Sequence, residues 1–190
     1  MNDTLFIVGQ GISAPLFTWP DGIDMLCVSG GINSPPFLPQ FWCGIDPPHC
    51  YGHLPWFLQS DVRKFVLATN FLRRWSSYSN VTMVPFGGIG KPNFGPDGPL
   101  CEPPGTHANS LFPAIQVGHR LGYRRLAFVG VDLLEPEFDT MAEALESWYH
   151  IATSQGLEWV TASDVSRLFE FMPLGEAEHA MMLTEQGANA

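Results

Sequence analysis

Apolar residues along this chain fall into short, nearly unbroken runs, and stretches of helical period alternate with them. The clearest case spans residues 105–132. There Leu111, Ala114, Ile115, Gly118 and Leu121 recur at the spacing of one helix face, with Pro113 suited to a first turn, Asn109 or Ser110 as the N-cap, and Gly122 as the left-handed stop. Leu126 to Val131 then forms a run too continuous for a half-exposed strand, and it ends on Asp132. Further runs predict strands at 4–9, 24–28, 41–45, 64–68, 80–84 and 157–161. A short helix is expected from Phe71 to Trp75. A longer one, capped by Asp139 and ending at Gly156, carries Met141, Ala144, Leu145, Trp148 and Ile151 on one face. Asp164 is expected to cap a last short segment. Strands that are apolar on both faces, separated by helices, predict a single α/β domain with a mostly parallel sheet.

The punctuation between the runs indicates where a ligand would go. The first strand enters Gly9-Gln10-Gly11-Ile12-Ser13, with Pro15 placed to open a helix; the second ends in Ser29-Gly30-Gly31-Ile32-Asn33; the third ends on Asp46-Pro47-Pro48. In a parallel sheet such carboxyl ends lie along one edge, which is where open α/β sheets bind ligands. The first turn is only half of a dinucleotide fingerprint, because a third glycine and a distal acid are missing. Asp46 and Asp132, each closing a strand at that edge, are the candidate catalytic carboxylates, set against the plainer reading that either caps a turn. The stretch 85–105 is more than half glycine and proline, so no regular element is expected there. It is either a lid leading into the helix start or a passive surface loop.

Composition narrows the function class. The 190 residues carry a net charge of -10, with about a dozen acids after residue 131 against Arg167 alone, so no basic face offers itself to nucleic acid. No apolar run approaches a membrane span and the first residues lack a basic leader, which predicts a cytoplasmic protein without membrane association. Cys27, Cys43, Cys50 and Cys101 show no paired spacing. The set Cys43, His49, Cys50 and His53 matches no common zinc arrangement, and these residues are read as core and loop, with no metal site. The domain is expected to span 1–174, followed by a flexible acidic tail at 175–190.

Four stretches in order resemble a known group. The Gly9–Ser13 turn resembles a Gly-Asn-Gly-Pro-Ser turn, the run from Phe41 to Pro47 resembles a strand-Asp-Pro edge, Ala114 to Asp132 resembles an "A…A..LG(Y)..I.L.G.D" unit, and Gly156–Thr161 with Ser166–Phe171 resembles the closing strand. Together they are similar to the Rossmann-like superfamily of flagellin-modifying motility accessory proteins, bacterial sialyltransferases and hydroxymethylpterin pyrophosphokinases. The resemblance implies a three-layer Rossmann-like domain. Gly9, Gln10, Gly11 and Ser13 with Ser29, Gly30 and Asn33 would hold the phosphate and sugar of a nucleotide, and Asn109 and Ser110 would contact the nucleotide from the helix N-terminus. It implies a transferase using a nucleotide-activated donor, most simply a CMP- or UDP-sugar, with Mg²⁺ as an option. The alternatives are an inactive nucleotide-binding or assembly protein and an ATP- and Mg²⁺-dependent pyrophosphokinase; the acceptor stays open, and a homo-oligomer is compatible with each. Gln10 and Ile12 depart from the pattern, and none of His107, His119 or His150 matches the sialyltransferases' catalytic histidine.

Overall fold

The computed structural model describes residues 3–45, 61–67, 76–78, 80–106 and 109–175. Strands form where a run has to bury two faces at once. Along β1 (Thr4–Val8), Leu5 and Ile7 enter one core while Phe6 and Val8 enter another. Along β8 (Arg125–Val129), Leu126 and Phe128 join the first and Ala127 and Val129 the second. With β2 (Asp24–Val28), β3 (Phe41–Gly44), β4 (Arg63–Leu67), β5 (Val81–Val84) and β9 (Glu158–Thr161), they make a seven-stranded sheet in the order β5-β4-β3-β2-β1-β8-β9. Every pairing is parallel. The chain is therefore an α/β, three-layer Rossmann-like domain. The strand expected at 126–131 is β8, which ends at Val129 and lies inside the sheet between β1 and β9, as its two buried faces require.

Among the described residues, two α-helices cover the first face. Helix α1 (Leu111–Arg120) is buried from Leu111 through His119, and Gly118 is its point of closest approach: a Cβ there would stand 3.0 Å from side-chain carbons of Leu5 and Leu126. Gly122, at φ +97°, closes it as expected. Helix α2 (Asp139–Ser154) lays Ala142, Leu145, Trp148 and Ala152 on the same core. On the second face, Ala14 and Phe17 pack with Phe6, Met25, Trp42 and Val129.

Local predictions fail where distant contacts compete. Pro15 opens only a three-residue 3-10 turn, Ala14–Leu16, because Phe17 turns extended and buries its ring against Phe6 and Trp19. The glycine- and proline-rich stretch is not devoid of regular structure: β6 (Phe86–Ile89) and β7 (Leu100–Glu102) pair in parallel as a separate ribbon. Gln116 of α1 secures it, accepting from the Asn93 and Cys101 amides and donating to the Cys101 carbonyl. Asp139 provides no side-chain cap; it is the first residue of α2 and pairs with Arg167. Ser166, not Asp164, caps the last turn by accepting from the Leu168 amide. The helix expected at Phe71–Trp75, together with Asp46 and the tail beyond 175, lies outside the described residues.

Candidate functional site

From β1 the chain builds β2 to β5 on one side, then returns to add β8 and β9 on the other, so the strand order reverses between β1 and β8. Neighbouring connections leave in opposite directions at such a point, and a crevice opens above the carboxyl ends. Here it has a volume of about 450 Å³ and is bounded by the ends of β1, β2 and β8, the start of α1 and the start of α2. The fold brings Gly9, Gln10, Gly11, Ser29, Asn109, Ser110 and Asp132 together in its wall. Ser13 stands behind that wall, Gly30 is buried beneath the side chain of Gln10, and Asn33 is exposed at the end of a 3-10 turn. None of residues 85–105 lines the crevice, so the glycine- and proline-rich stretch is not a lid over it among the described residues.

Three glycines draw the strand ends together. A Cβ at Gly9 would lie 2.3 Å from the Gly130 carbonyl oxygen, one at Gly11 would lie 2.4 Å from the Asp132 carboxylate, and one at Gly31 would lie 2.1 Å from the Val8 carbonyl oxygen. Only a residue without a side chain fits at each. The amides follow the same logic: Gly9 N–H donates to the Val129 carbonyl at 2.8 Å and Gly11 N–H to the Gly130 carbonyl at 2.7 Å. The first turn is thereby laced to the end of β8.

Asp132 completes the lacing. Its carboxylate, 4% exposed, accepts from the Ser13 amide at 2.7 Å and from the Ser13 hydroxyl. The same hydroxyl oxygen accepts from the Gly130 amide at 3.1 Å. An acid at the end of the most apolar strand needs donors, and these come from 119 residues upstream.

The rest of the wall was not legible in the motifs. Leu133, Leu134, Phe138 and Met141 form an apolar side, Ile12 and Leu134 stand 61% and 46% exposed, and Glu135 adds a second carboxylate. The one available signal was the pair Leu133-Leu134 directly after a strand-closing acid. Ser29 at φ +48° and Leu133 at φ +54° are the non-glycine residues in the left-handed region among the described residues, and both line the crevice. Ser29 is held there by Trp42, whose indole N–H donates to its carbonyl at 2.9 Å. The Ser29 and Ser110 hydroxyls pair at 2.7 Å, and Ser110 Oγ also accepts from the Ile45 amide at 3.1 Å.

Comparison with protein-family models, with curated proteins and with solved structures gives no match. Among the described residues no group of three or more His, Cys, Asp and Glu could hold a metal ion, and no helix is long and apolar enough to cross a membrane. Burial holds the Cys43 thiol up at about 12, so it stays protonated in the core; His49, Cys50 and His53 lie outside the described residues. His119 also serves the core. Its Nδ1 meets the Tyr123 carbonyl at 2.8 Å, and its Nε2 accepts from the Trp159 indole at 2.8 Å.

Proposed function

We propose that this protein is a transferase that takes a nucleotide-activated donor, most simply a CMP- or UDP-sugar, into the crevice between β1 and β8. The observation that carries the reading is the pair of left-handed residues, Ser29 and Leu133, both in the crevice at the point where strand order reverses. Such backbone costs on the order of 1–3 kcal/mol per residue and persists where the surroundings enforce it, as they do at ligand sites. Leu133, Leu134, Phe138 and Met141 offer an apolar wall to a base, while Gln10, Asn109 and the Ser29–Ser110 hydroxyl pair offer polar groups to a sugar. Asp132 and Glu135 are the carboxylates available to accept a proton from an acceptor hydroxyl or to ligate Mg²⁺. Asp46, the other strand-closing acid, stays in the proposal from its sequence position alone.

A second reading, binding without chemistry, is favoured by one fact: both oxygens of Asp132 are already engaged by Ser13. The two are separated by a thermal-shift panel with CMP, UDP, GDP and ATP, with and without Mg²⁺, followed by release of nucleotide from the matching nucleotide-sugar. A nucleotide at about a hundred times its Kd should stabilise the fold by ~2.7 kcal/mol, seen as a rise in Tm of several degrees. Turnover that Asp132→Asn and Glu135→Gln reduce supports the transferase. Binding without turnover supports the second reading, and a panel with no shift in either condition sinks both.

A further inference from the structure

Phosphate recognition in α/β crevices draws on three sources: cationic side chains, free amides of the glycine turn, and free amides at a helix N-terminus. In this crevice the described residues supply no cation, and several of the amides are already used. None of the seven lysines and arginines among the described residues lines it. Arg125 pairs with Glu158 across β8 and β9, Arg167 with Asp139, and the Arg124 guanidinium donates to the Gly156 carbonyl. In the turn, the amides of Gly9, Gly11 and Ser13 donate to Val129, Gly130 and Asp132. At the helix, the Leu111 amide donates to Asn109 Oδ1 at 2.7 Å, and Pro113 has no amide to give. Among the described residues, the charges that remain in the wall are the carboxylates of Asp132 and Glu135.

What is left favours an uncharged guest. Between the hydroxyls of Ser29 and Ser110 there is one mutual hydrogen bond, and the Ile45 amide supplies another donor to Ser110. One hydroxyl hydrogen of the pair is therefore unspent, suited to a sugar or base oxygen. The apolar wall lies across from it. Resting on the reading of the crevice as a nucleotide site, we infer that it admits the uncharged nucleoside end of its ligand and turns away metal-free phosphate. A phosphate lodged here would face like charge in a partly desolvated cleft, with no cation among the described residues to offset it.

Calorimetric titration of the full chain tests this with adenosine, cytidine, guanosine and uridine against their 5′-diphosphates, in EDTA at low salt. For the base that binds best, the nucleoside should bind roughly tenfold tighter than the diphosphate, the scale of one like-charge contact. Glu135→Gln should narrow the gap by raising the diphosphate's affinity. A diphosphate that binds as tightly as its nucleoside overturns the inference and leaves the nucleotide reading standing. A gap that Glu135→Gln leaves intact overturns its electrostatic cause, and a panel in which no base binds in either form overturns both the inference and the reading beneath it.

Discussion

Asp132 and Ser13 hold the two halves of the sheet together through one carboxylate, one hydroxyl and one amide. In Ser13→Ala the Gly130 amide loses its acceptor and Asp132 loses a donor, both in buried residues. An unmet buried hydrogen-bonding group costs about 1–3 kcal/mol. Asp132→Ala removes the acceptor of both Ser13 donors and should cost more, whereas Asp132→Asn keeps one acceptor and can donate to the serine oxygen, so it should be the mildest of the three. Urea denaturation with an unchanged m-value is the measurement; three variants within about 0.5 kcal/mol of the parent would show the clamp to be inert. Nothing near Asp132 in the sequence announces Ser13. The acid was legible as a strand-closing group in need of a partner, but the partner was not, because hydrogen bonds across 119 residues leave no local pattern.

The ribbon of β6 and β7 depends on α1 more than on its own residues. With so many glycines and prolines it has little intrinsic preference for strand, and the Gln116 amide supplies what is missing. That side chain is wholly buried; besides its bonds to Asn93 and Cys101, it donates to the Phe112 carbonyl at 2.9 Å. Gln116→Leu keeps the volume and strands two amides, so the segment 90–102 should lose hydrogen-exchange protection, with stability falling by roughly 2 kcal/mol or more. Unchanged protection in that segment would mean the ribbon stands without α1. Element existence was readable wherever packing and local preference agree, as in β1, β8 and α1. It was not readable in this ribbon, where a single side chain on another element overrides composition.

At the scale of the whole molecule, stability rests on the seam where α1, β9 and an aromatic cluster meet. Phe94 stands edge-on to His119, Trp148 and Trp159 at centroid distances of 5.0, 6.2 and 5.8 Å. Burial lowers the His119 pKa to about 4, with the Tyr123 carbonyl acting in the opposite sense. The neutral ring suits this place, since a proton on Nε2 would confront the Trp159 indole N–H. The unfolded chain, titrating near 6.5, binds the proton more readily, so this contribution is complete above about pH 6.5 and is lost as pH falls towards 4, amounting to ~3 kcal/mol in all. Denaturation midpoints between pH 7.5 and 4.5 should fall accordingly, and His119→Gln should flatten the fall; an equal slope in the variant would place the acid sensitivity elsewhere. The strands of the main sheet, the parallel class and the meeting of strand ends along one edge could be read from the chain alone, because period and turn chemistry belong to contiguous residues. The order β5-β4-β3-β2-β1-β8-β9, the left-handed turns at Ser29 and Leu133, and the use of the turn amides within the protein could not. Each of these depends on which strand end comes to lie against which, and that is settled only when the two cores close on both faces of the sheet.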